Sequence, residues 1–160
     1  MSSQVLSTQA SAETKVAAWI RLLRAHAALT RELSSRLEAR HGLSLRDYDV
    51  LVQIYVAPGR RMRRIDIART VILSPSGITR LLDGLERAGW VKKEHCASDA
   101  RVTYAALTET GIEKFEQARA THLADVEALF GSRFSDDEHD QLAELLSRLP
   151  LADAGACNSE

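Results

Sequence analysis

Val16, Trp19, Leu23, His26, Thr30, Leu33 and Leu37 fall three or four residues apart, and Leu22 and Leu29 widen the stripe. That spacing predicts one long helix over residues 12–40 with a single buried face, Arg21, Arg24, Arg31 and Glu32 lying mostly off it. Gly42 ends the helix. Ser44, with Asp47 three residues on, reads as the capping box of a second helix whose inner face is Tyr48, Leu51, Val52 and Tyr55. Pro58-Gly59 stops it. The arginine-rich run 59–64 leads into a short third helix ending near residue 70, with Ile65 and Ala68 as its core residues. Ser74 caps a fourth helix with Pro75 in its first turn, and Ile78, Leu81, Leu82 and Leu85 form its buried stripe. Gly89 terminates it.

The period then changes. Residues 90–95 and 101–107 read as two strands joined by a turn at 96–100. A lone hairpin is unstable in water, so it must pack on helices. Thr108 caps a fifth helix with Ile112, Phe115, Leu123, Val126, Leu129 and Phe130 as its apolar positions. Ser135-x-x-Glu138 opens a last helix bearing Leu142, Leu145, Leu146 and Leu149 on one face, and Pro150 closes it. The expected fold is mainly α (α+β). Two helices meeting through a short turn, followed by a hairpin, make a winged helix-turn-helix.

Composition narrows the function. The 160 residues sum to a net charge of −1, which argues against nucleic acid only if the charge is spread evenly. It is not: residues 44–107 carry 11 basic and 7 acidic side chains, a balance of +4, leaving −5 elsewhere. Residues 108–149 alone stand at −6. A basic centre beside an acidic flank suits a DNA reader with a separate assembly region. Cys96 and Cys157 lack CxxC spacing, so neither zinc nor a disulfide framework is expected. The five histidines show no paired ligand spacing and there is no glycine-rich phosphate loop, so no enzyme, metal or cofactor is expected. The first 15 residues lack a leader pattern, and no apolar run nears the roughly 20 residues of a membrane helix.

The run SPSGITRLLDGLERAGWVKKEHCASDARVTYAALTETG at residues 74–111 resembles the recognition helix, wing and following helix start of the MarR family of bacterial transcription regulators. Asp99-Ala100-Arg101 matches the family's Asp-x-Arg, Leu107-Thr108-Glu109-Thr110-Gly111 its Leu-Thr-x-x-Gly, and Gly42-Leu43-Ser44 its Gly-Leu-(Ser/Thr). The wing departs from the pattern at Val102 and Thr103, where relatives often carry further basic residues. Arg60, Arg61, Arg63, Arg64 and Arg69 are the alternative source of phosphate contact.

The resemblance implies a cytoplasmic homodimer, on the nucleoid when bound, that acts as a repressor on a pseudo-palindromic double-stranded DNA operator. Residues 1–12, small and polar, read as a disordered arm and 151–160 as a flexible tail; between them the resemblance implies an N-terminal dimerisation helix (13–41), a winged helix-turn-helix (42–107) and C-terminal dimerisation helices (108–150). Ser74, Ser76, Gly77, Thr79 and Arg80 would approach the major groove, Arg63 and Arg64 the phosphates, and Arg101, held by Asp99, the minor groove. Val16, Leu23, Leu123, Leu142, Leu145, Leu146 and Leu149 would form the dimer interface. A small aromatic or phenolic acid would release the DNA from a pocket around Trp19, His26, Arg46, Tyr48 and Asp49. Two readings stay open beside it: a redox switch at Cys96, and a winged-helix protein-interaction module without DNA binding.

Overall fold

The computed structural model describes residues 2–71, 75–95 and 102–149, with side chains described from residue 13 onward except at 75 and 76. Among the described residues six α-helices appear in order: α1 (Ser2–His41), α2 (Leu45–Val56), α3 (Arg64–Thr70), α4 (Pro75–Arg87), α5 (Glu109–Leu129) and α6 (Asp136–Ser147). Three strands, β1 (Arg61–Arg63), β2 (Val91–His95) and β3 (Thr103–Leu107), form one antiparallel sheet in the order β1-β3-β2. Helix α1 begins at Ser2, ahead of the start near residue 12 that its apolar stripe predicts. The hairpin gains a third strand, because Arg61–Arg63 pairs with Ala106, Ala105 and Tyr104.

The expected caps are in place. Ser44 Oγ accepts from the Asp47 amide and the Asp47 carboxylate accepts from the Ser44 amide, a capping box repeated by Ser135 and Glu138 at α6. The helix they start, α2, lies at the centre of the domain. Val50, Leu51 and Ile54 are fully buried, and Tyr48 nearly so. The predicted face was narrower, because it took α2 to be covered on one side. It is packed by α1 and α5 on one flank and by α3 and the sheet on the other, so Val50 and Ile54 join the core while Val52 and Tyr55 sit at its edge.

In α3 the inward residue is Ile67, fully buried, and Ile65 is 59% exposed. Ala68 packs against the core as expected, with Ile67 and Val71 beside it in place of Ile65. Helix α4 buries Ile78, Leu82 and Leu85 as expected. Strand alternation divides the sheet. Val91, Ala105 and Leu107 face the core. Arg61, Arg63, Lys92, Glu94 and Tyr104 share the outer face, where the Arg61 guanidinium lies 5.1 Å from the Tyr104 ring centroid.

One junction fixes the wing to the helices. Gly89 (φ +77°) ends α4 in the left-handed region, its amide donating to Glu86 and that of Trp90 to the Leu85 carbonyl, which is a Schellman closure. Thr108 caps α5 by accepting from the Gly111 amide (3.0 Å), and its hydroxyl donates to the Gly89 carbonyl (2.6 Å). Thr110 donates to the same carbonyl (2.9 Å). Gly111 lies directly on the Trp90 carbonyl, where a Cβ has no room.

A second junction ties α1 to α5. Asp125 is the buried acidic residue among those described. Arg36 Nη1 reaches one of its oxygens (2.9 Å) and Arg40 Nη1 the other (2.7 Å). Burial pushes the Asp125 carboxyl up, but the hydrogen bonds and charges of both arginines outweigh it and hold it below the ordinary value. One turn away His41 Nε2 meets Thr121 Oγ1 (2.6 Å).

Candidate nucleic-acid interface

Because α4 buries one side only, its opposite side is open. Thr79 and Arg80 are exposed and Gly77 is half-buried. Arg80, Asp83, Glu86 and Arg87 line an open groove of about 760 Å³. Arg87 Nε donates to the Asp83 carbonyl (3.1 Å), which keeps that guanidinium along the helix. Ser74, Asp99 and Arg101 lie outside the described residues, as does the side chain of Ser76, so the expected minor-groove arginine and its aspartate are not placed. Cys96 lies outside them too.

Much of the basic block already faces carboxylates. Arg63 Nε is 2.6 Å from Asp66, and Arg69 is 3.9 Å from the same residue. Lys92 lies 2.9 Å and Arg61 3.6 Å from Glu94. Their hydrogen bonds and charges, that of Lys92 first, hold the Glu94 carboxyl below its usual range. Lys93 lies 3.1 Å from Glu86 and 3.7 Å from Asp83. Arg60 sits over the Tyr55 ring at 4.8 Å. Arg64 is half-buried, and its Nη2 is buried with no hydrogen-bond partner. The regional sum of +4 therefore overstates the number of cations that stand alone.

The five pocket candidates do not share one environment. Trp19 and His26 are exposed on α1, and Arg46 and Asp49 are exposed on α2. Tyr48 instead lies in the core, its ring 5.6 Å from Phe115 and 4.5 Å from His122. Burial lowers the His122 pKa, and its Nδ1 has no hydrogen-bond partner. Sequence reasoning missed a groove of about 280 Å³ between α2 and α5, lined by Tyr55, Glu116, Arg119, Ala120 and Leu123. Tyr55 Oη donates to Glu116 there (3.0 Å). Its walls lie 61 residues apart in sequence, too far for any local pattern to join them.

Exposed apolar residues gather on and beside the terminal helices. Val16, Leu23, Leu123, Leu145 and Leu149 are between 43% and 56% exposed. Trp19, Ile20 and Leu22 of α1 are exposed with them. Leu142 and Leu146 are half-buried.

A helix pair ending in an open-faced helix, followed by a sheet wing and flanked by long helices, defines a winged helix-turn-helix transcription regulator. The model of the MarR family matches residues 43–103. The transcriptional repressor YetL of Bacillus subtilis is 31% identical over 69% of this chain and 66% of its own length. AbsC, a MarR family transcriptional regulator from Streptomyces coelicolor, superposes with a TM-score of 0.78 at 32% identity, covering 83% of this chain and 89% of that one. Sco3205 from the same organism, solved in complex with DNA, gives 0.79 at 27% identity over 85% and 84%. The chain belongs to the MarR family and is a DNA-binding transcription regulator, not an enzyme.

Proposed function

We propose that the protein is a homodimeric repressor that binds a pseudo-palindromic operator and is released by a small aromatic or phenolic acid. The observation that carries this reading is the division of the chain into two unlike surfaces. The open side of α4 offers Thr79 and Arg80 to a duplex, while α1, α5 and α6 carry uncovered apolar side chains suited to a second copy. Two-fold pairing through those helices sets two α4 helices at major grooves about one helical turn apart. The repressor name of YetL supports the direction of regulation. CouR from Rhodococcus jostii, 28% identical with a TM-score of 0.68, was solved bound to p-coumaroyl-CoA, which supports control by an aromatic acid or its derivative.

The test is fluorescence anisotropy with DNA flanking the protein's own gene. Arg80→Ala is expected to weaken specific binding about tenfold or more and to relax discrimination at one base pair. A fully retained affinity would overturn the assignment of α4 as the reading helix. Titrating the complex with a panel of aromatic acids tests release.

A further inference from the structure

Lys93 is the one cation of β2 that follows Val91 onto the inner face of the sheet. The core ends beyond Val91, so the side chain runs along it and delivers its ammonium to α4. There it meets Glu86 Oε2 at 3.1 Å and Asp83 Oδ1 at 3.7 Å. These carboxylates stand three residues apart on one helix face and line the same groove as Arg80 and Arg87. The Glu86 side chain is only 22% exposed, and its other oxygen is buried without a partner, so solvent screens it poorly. Two negative charges on a surface meant for phosphate repel it unless a fixed cation offsets them.

Resting on the reading of α4 as the helix that enters the groove, we propose that Lys93 is a positioning residue. Its single charge offsets one of the two carried by Asp83 and Glu86 and joins the wing to α4, and it promotes binding without touching DNA. A wing lysine would otherwise be taken as a phosphate contact.

The two roles separate in a double-mutant cycle on the full-length protein, read as operator affinity over a series of salt concentrations. Lys93→Met is expected to lower affinity about tenfold while leaving the slope of log K against log salt nearly unchanged, because no phosphate contact is lost. In the Asp83→Asn/Glu86→Gln background the same substitution is expected to change affinity less than about threefold, because the charges it offset are gone. Lys93→Arg is expected to retain binding. A loss of equal size in both backgrounds, with a slope shallower by about one, would make Lys93 a direct phosphate contact and overturn the proposal. Unchanged affinity of Lys93→Met overturns it as well. If Lys93→Met does not fold, Asp83→Asn/Glu86→Gln alone decides: affinity equal to or above that of the unmodified protein supports the charge offset, and a loss opposes it. Failure of the unmodified protein to bind any operator fragment is a separate result that strikes the reading of α4 itself.

Discussion

Gly111 holds its place through space rather than flexibility. Its α-carbon packs on the Trp90 carbonyl, so any side chain there must part the wing from α5. Gly111→Ala is expected to cost about 1–3 kcal/mol, as overpacking against backbone does. That lowers the melting temperature by roughly 2–4 °C per kcal/mol in a chain of this size. An unchanged thermal melt would show that the junction yields without strain. The Leu-Thr-x-x-Gly pattern was legible in the sequence, but its reason was not: the threonine caps and the glycine yields room to a carbonyl some 20 residues earlier. Asp125 makes the complementary case. Its folded pKa lies below the unfolded value of about 3.9, so its stabilisation is complete above that value and is lost as pH falls through the folded pKa. Asp125→Ala is expected to destabilise by about 1–3 kcal/mol at pH 7, below the range for fully buried pairs because both guanidiniums reach solvent. The deficit should narrow as pH falls below 4, measured by denaturant unfolding at each pH. A deficit independent of pH would assign it to packing.

Elements whose signals are local were readable from the chain alone. The capping boxes at Ser44 and Ser135, the threonine cap of α5 and the buried stripe of α4 each depend on residues within one or two turns. Elements settled by distant partners were not. Arg61–Arg63 is only three residues long, too short for its Arg-Met-Arg alternation to mark a strand, and it pairs because β3 presents an edge to it. In α3 the core takes Ile67 in place of Ile65. Two buried faces on α2 likewise require knowing what lies on both sides of it. The α2–α5 groove was missed for the same reason, and so were the contacts of Tyr48 with Phe115 and His122 of α5.

For the whole molecule, the uncovered stripe on α1 and α6 should decide the assembly. Introducing a charge there, as in Leu23→Glu with Leu145→Glu, is expected to halve the mass seen by sedimentation and to abolish tight operator binding, because two half-sites are then engaged independently. A dimer that survives both charges would place its interface elsewhere. The charge distribution carries a further consequence at this scale. Asp66 and Glu94 already sit beside Arg63 and Lys92 of the winged region. They are resident counterions, attached to the protein and unable to diffuse away. On the proposed docking, a phosphate must displace a carboxylate rather than a mobile ion at those positions, so less salt is liberated than the basic residues alone suggest. Random duplex, which offers charge without a fitted geometry, then competes poorly with the protein's own acids. Discrimination begins before any base is read.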